Sequence, residues 1–180
     1  AFSLGRHMEE ENTVATRQLN MIRGEVERSD MILTELMGYA RLSEGRVEKI
    51  DMKEELQGAI EEAFPPNHAF HIQLKKDLHE GLPPLMMQRA HLREIMVNLL
   101  VNAREAAGEN GIVQISCRPS PQYAIELRVK DSGEGIPLDQ REQIFEAYFT
   151  TKKKGTGLGL AIVKQNTELY GGEIVVESEL

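Results

Sequence analysis

The sequence predicts a two-layer α/β sandwich, a mixed sheet packed on helices, preceded by a long helix. Three observations carry this. A heptad pattern without proline runs from about Asn12 to Ser43. Apolar patterns of period 2 and of period 3.6 then interleave along the rest of the chain, which is the order of an α/β domain. Two of the period-2 runs are joined by the short stretch Arg118-Pro119-Ser120-Pro121-Gln122, which requires at least one antiparallel pair.

In the first segment, apolar residues recur at Leu19, Ile22, Val26, Leu33, Leu36 and Ala40, in steps of three and four, with Ser29 at the one polar slot. Met31, Ile32 and Met37 widen the apolar face beyond a two-helix seam, which suits a helix with more than one partner, as in a bundle. Gly45 closes the segment. Asp51 followed by Glu54 reads as a capping box that opens a helix ending near Ala63, before Pro65-Pro66. His71 to Leu78 reads as a strand, Gln88 to Ala107 as a helix, and Ile112 to Cys117 and Tyr123 to Lys130 as strands. The stretch from Gly133 to Thr156 is weakly periodic. Leu158 to Tyr170 reads as a helix closed by Gly171-Gly172, and Glu173 to Glu177 as a last strand. Two domains follow, 1–50 helical and 51–180 α/β.

Composition excludes several functions. The chain has 180 residues, with 21 Lys and Arg against 29 Asp and Glu and a net charge of −8, which argues against a nucleic-acid surface. The single cysteine, Cys117, allows no internal disulfide and fits a reducing cytoplasm. No apolar run approaches the ~18 residues that span a bilayer. Ala1 to Met8 lacks the apolar core of a signal peptide. Membrane contact is expected only through segments upstream of this sequence.

Three constellations point to chemistry. Gly155, Gly157 and Gly159 alternate just before a helix and follow Lys152-Lys153-Lys154. A helix start offers free N–H groups and a partial positive charge, and glycines let phosphate approach it; a flexible connection beside a solvated lysine run is the plainer alternative. Asp131-Ser132-Gly133-Glu134-Gly135-Ile136-Pro137 follows a strand, so the carboxylate is placed to accept a hydrogen bond from an exocyclic amine on a flat ring, or it simply builds a turn. Asn98 and Asn102 share one helix face. An amide oxygen suits Mg²⁺, which keeps waters and borrows phosphate oxygens; two surface asparagines are the alternative.

In this order the motifs resemble the catalytic, ATP-binding domain of bacterial sensor histidine kinases. "HLREIMVNLLVNAREA" resembles the N box, "DSGEGIP" the G1 box, "IFEAYFTTK" the F box and "GTGLGLAIVKQ" the G2 box. The likeness covers about Lys53 to Leu180 and is nearest to the nitrogen-regulation and sporulation kinase branch. The heptad helix resembles the second helix of the dimerisation and phosphotransfer domain. The resemblance implies a Bergerat-type fold binding ATP or ADP with Mg²⁺, with Asn102 holding the metal and Asn98 near the phosphates. It implies that Asp131 takes the adenine amine while Gly133, Gly135 and Ile136 shape the pocket. Thr151, Lys152, Gly155, Thr156, Gly157, Leu158, Gly159 and Leu160 would serve the phosphates, and Phe145 and Phe149 would anchor a lid. The implied partners are a response-regulator receiver domain and, in the whole protein, a second copy. The family usually adds one strand after Glu177-Ser178-Glu179-Leu180, so a sheet edge is expected to lie unpaired.

The resemblance also separates transfer from hydrolysis. ATPases of this fold carry a glutamate four residues before the metal-binding Asn; here that position is Asn98, which cannot take a proton. Glu94 and Glu105 lie on the same helix and keep the question open. The family's acceptor histidine precedes an acidic residue and a nearby proline, and none of His7, His68, His71, His79 and His91 has that context. ATP binding without self-phosphorylation is therefore expected. An ATPase or serine kinase of the same fold, and a non-catalytic dimerisation or scaffold module, are the competing readings.

Overall fold

The computed structural model describes residues 14–26, 29, 45–65, 71–152 and 155–179. The chain divides into two units, 1–41 and 42–180. In the first, residues 14–26 are helical (α1), and Leu19, Met21, Ile22 and Val26 are exposed. The later heptad positions Leu33, Leu36 and Ala40, with Met31, Ile32 and Met37, lie outside the described residues, as do His7, His68, Lys153 and Lys154.

The second unit runs β1 (Glu48–Ile50), α2 (Met52–Ala63), β2 (Gln73–Leu78), β3 (Leu85–Met87), α3 (Arg89–Ala107), β4 (Ile112–Pro119), β5 (Ile125–Asp131), two 3-10 turns (Leu138–Gln140 and Gln143–Phe145) and α4 (Gly159–Leu169). The Asp51 capping signal is met: its carboxylate accepts from Lys53 N at 2.8 Å and more weakly from Glu54 N at 3.5 Å. A three-stranded sheet has the order β2-β4-β5, with β2 and β4 parallel and β4 and β5 antiparallel. The mixed sheet and its hairpin are thus as the patterns predict.

Strands β1 and β3 were not legible. They pair antiparallel, Lys49 opposite Met86, over three residues each, too short to display a period. Their pairing ties the stretch before Asp51 to the second unit. The expected last strand, Glu173–Glu177, is a correction. Residues 173–179 alternate between half-buried and exposed but belong to no ladder. Side chains hold them instead: Tyr123 donates to Glu173 at 2.9 Å, which raises the Tyr123 phenol above its ordinary pKa, and Arg128 lies 3.7 Å from Glu177. Alternating hydropathy reports one-sided burial, and here that burial is reached without strand pairing.

The core lies between the sheet and α2, α3 and α4. Val113, Ile115 and Cys117 of β4 face it, with Leu56, Ile60, Leu92, Met96 and Leu100 from the helices. Each such side chain, fully buried, contributes about 1.5–3 kcal/mol. Burial also pushes the Cys117 thiol up to about 11, which suppresses its reactive thiolate. Leu100 is fully buried on the middle of α3, so Leu100→Ala is expected to cost about 2–5 kcal/mol in urea unfolding. A loss below about 1 kcal/mol would show that the α3 seam is loosely packed.

Candidate functional site

Helix α3 is the floor of the site. It and α4 run antiparallel, and three polar contacts line their seam. At one end the buried His91 places Nδ1 2.8 Å from Tyr170 Oη, which also accepts from Gln88 N at 3.1 Å. In the middle, the buried Asn166 donates to Glu94 Oε2 at 2.8 Å. At the other end, Gly159 opens α4 against the predicted asparagines. A Cβ added at Gly159 would meet Asn98 Oδ1 at 2.8 Å and Asn102 Nδ2 at 3.7 Å. What crowds a side chain at this glycine is therefore the Asn98 amide, while Asn102 lies at ordinary contact distance.

Asn98 is oriented by its own helix. Its Nδ2 donates to Glu94 O at 2.8 Å, so its Oδ1 is turned toward the start of α4. Helix starts carry unpaired N–H groups and a partial positive charge, which an amide oxygen complements. One turn on, Asn102 Oδ1 accepts from Lys152 Nζ at 2.8 Å, and the same ammonium lies 2.5 Å from Glu105 Oε2. Another turn on, a Cβ at Gly133 would meet Ala106 O at 2.6 Å, so the turn after β5 rests directly on α3.

Asp131 reaches this floor through strand periodicity. Ile125, Leu127 and Val129 form the half-buried row of β5, and Asp131 is the next residue of that row, opposite Val113. A carboxylate thus ends an otherwise apolar row. Its Oδ1 accepts from Gly133 N at 2.8 Å, closing the turn. Ser132 locks the turn to β4: its Oγ accepts from Ile112 N at 2.9 Å and its N donates to Ile112 O at 3.0 Å. Farther on, Ile136 N donates to Ser178 Oγ at 2.7 Å. Arg141 bridges the same two segments, donating to Ile136 O at 3.1 Å and to Ser178 O at 2.6 Å.

Between the 3-10 turns and α4 the chain folds back on itself. Tyr148 N donates to Gly157 O at 2.9 Å, with Gly157 at φ 73°, where a side chain would be strained. Lys152 N donates to Thr150 Oγ1 at 3.1 Å and Gly155 N to Lys152 O at 3.2 Å. Phe145 and Phe149 are half-buried, Thr151 is exposed, and Thr156 and Leu160 are half-buried. Leu158 is fully buried, so only its backbone is available to a ligand.

The structure therefore brings Asn98, Asn102, Lys152 and Gly159 together, with the Asp131 turn on the same face of α3. Asn98, Asn102 and Ala106 are spaced i, i+4, i+8, so this face extends about 12 Å at 1.5 Å per residue. Sequence reading passed over Arg141, gave Asn166 no role, and treated Glu105 only as a spare acid. Two weak signals existed: an Asn three and four residues after Val163 and Ile162, on the apolar face of α4, and an acid three residues after Asn102. Among the described residues no cluster of three His, Cys, Asp or Glu side chains is placed to hold a metal. A divalent cation here would have to rest on an amide oxygen, and Asn102 Oδ1 already accepts a cationic partner in Lys152. No helix among the described residues is long and apolar enough to cross a membrane.

Residues 87–180 match the family described as histidine kinase-, DNA gyrase B- and HSP90-like ATPase. The sensor histidine kinase ZraS of Escherichia coli O157:H7 is 32% identical over 154 residues, 86% of this chain and 33% of its own length. Sporulation kinase E of Bacillus subtilis (strain 168) is 29% identical over 160 residues, 89% of this chain and 22% of its own length. The chain thus spans a third or less of these curated relatives. The nucleotide-free catalytic domain of histidine kinase ThkA has a TM-score of 0.62 at 29% identity, covering 69% of this chain and 82% of that one.

The Gly159 contact is open to test. Alanine normally favours a helix over glycine by about 0.5–1 kcal/mol. Here Gly159→Ala is expected to destabilise by about 1–3 kcal/mol through overpacking on Asn98, and adding Asn98→Ala should recover stability in urea unfolding. A stabilising Gly159→Ala would overturn the contact.

Proposed function

The chain belongs to the histidine kinase-, DNA gyrase B- and HSP90-like ATPase family, and we propose that it is the ATP-binding catalytic unit of a bacterial sensor histidine kinase. In this reading it holds ATP for transfer of the γ-phosphate to a histidine, for relay to the receiver aspartate of a response regulator. The observation that carries the reading is the single α3 face on which the Asp131 turn, Asn102, Lys152 and the start of α4 converge. That face has the Asp131 carboxylate at one end, the Lys152 ammonium in the middle and the partly positive start of α4 at the other end, as an adenine and a polyphosphate require.

Each residue has a role. Asp131 accepts from the adenine amine, and Gly133, Gly135 and Ile136 form the walls around the ring. Lys152 neutralises phosphate charge. The backbone of Gly155, Thr156, Gly157, Leu158, Gly159 and Leu160 lies along the phosphates, with Thr151 beside them. Asn102 Oδ1 would hold Mg²⁺, which would neutralise phosphate charge when bound, and Asn98 packs against the start of α4 next to it. Transfer is favoured over hydrolysis because Asn98 is an amide and Glu94, one turn before it, is engaged with Asn166. The helical segment ahead of β1 is read as part of the dimerisation and phosphotransfer domain, through which the whole protein forms a homodimer, while β1 itself belongs to the ATP-binding unit, which is read as cytoplasmic.

Binding and transfer are tested separately. ADP with Mg²⁺ at 100 times its Kd should stabilise the protein by about 2.7 kcal/mol, and Asp131→Asn should remove most of that gain while leaving unfolding of the free protein cooperative. No stabilisation of the wild type at millimolar ADP would exclude the nucleotide. With γ-labelled ATP, no acid-labile label is expected on this chain. His91 is buried with Nδ1 against Tyr170, and His79 Nδ1 accepts from Gly81 N. Labelled histidine would mean that one of the five serves as acceptor.

A further inference from the structure

Lys152 is tied down where a phosphate-binding lysine should be free. Its ammonium touches Asn102 Oδ1 at 2.8 Å and Glu105 Oε2 at 2.5 Å, using two of its three donors. Asn102 and Glu105 are three residues apart on α3, whereas Lys152 comes from the folded-back segment that faces it. The Lys152 backbone is bonded on both sides, to Thr150 Oγ1 and by Gly155 N. The Lys152 side chain therefore links this segment to the floor. The fastening is weak, because the Lys152 and Glu105 side chains are 42% and 43% exposed, so water and salt screen the pair.

We propose that Glu105 is a positioning residue that latches Lys152 over Asn102 in the nucleotide-free protein, and that a nucleotide with its divalent cation releases the latch. This rests on the nucleotide reading above. On release Lys152 Nζ passes from Glu105 to a phosphate oxygen, and Asn102 Oδ1 exchanges an ammonium for the divalent cation. Lys152 serves as the cation of the site before the metal arrives, which relieves the crowding of Asn102 Oδ1 and the Glu105 carboxylate on one face. Because the latched form must open first, the apparent affinity for nucleotide is lowered by the fraction of molecules open. For an exposed ion pair this is about two- to five-fold.

The test is a cycle of the wild type, Glu105→Gln, Lys152→Met and the double variant, titrated calorimetrically with ADP and Mg²⁺. Glu105→Gln should tighten binding about two- to five-fold when Lys152 is present, and the gain should vanish when residue 152 is Met. An equal gain in both backgrounds would mean that Glu105 merely repels phosphate, and would overturn the latch. Hydrogen exchange of the nucleotide-free proteins reads the latch without nucleotide. Amides of residues 146–152 should exchange faster in Glu105→Gln and in Lys152→Met than in the wild type, while those of α3 are unchanged. Unchanged exchange in 146–152 would also overturn it. Absence of heat from ADP in the wild type would sink the nucleotide reading, and the exchange role of Lys152 with it, whatever the hydrogen exchange shows.

Discussion

The molecule is organised by the close approach of α4 to α3 at Gly159. With no Cβ there, the start of one helix meets the amide of Asn98 on another, and the amide is oriented because its nitrogen already donates to Glu94 O. Farther along the seam, Glu94–Asn166 and His91–Tyr170 hold the two helices in register. Buried polar groups are costly unless paired, so these contacts fix one alignment of two otherwise apolar surfaces, a specificity that hydrophobic burial alone lacks. The position of the Lys152 segment and of the turn after β5 depends on that alignment, because both rest on the same face of α3.

Much of the fold was legible because local signals agreed with the tertiary result. Asp51 announced α2 by its capping chemistry, the apolar stripe Leu92, Ile95, Met96, Leu99, Ala103 announced α3, although Leu100 rather than the half-buried Leu99 takes the core position, and the alternation in β4 matched its buried row Val113, Ile115, Cys117. Two kinds of element escaped. Strands β1 and β3 have three residues each, so neither displays a period and their pairing is decided by distant partners. Residues 173–179 display the period without the pairing, because Tyr123 ahead of β5, Arg128 on it and Arg141 after it hold them in place.

For the site, the sequence named residue types and could not name their partners. The three glycines were read as room for phosphate, yet at Gly159 the room is taken up by Asn98 and at Gly157 by the backbone of Tyr148 and Phe149. Gly157 and Gly159 serve packing first, and Gly155 already gives its N–H to Lys152 O. Glu105 and Arg141 escaped for a related reason. Each acts on a segment 37 or more positions away, Lys152 with Glu105 at 47 and Ser178 with Arg141 at 37, and no local pattern encodes such pairs.

Leu158 gives the glycine-rich stretch an unequal pair of ends. Its side chain is wholly enclosed, while upstream Gly155 N bonds back to Lys152 O and Lys152 reaches α3 through an exposed ammonium. Any swing of that flap consequently pivots about a plugged leucine, and the first turn of α4 keeps its aim while the flap moves. Entry and exit of a bound molecule then become a matter of hinging a few residues, at no expense to the order of the helix bed beneath.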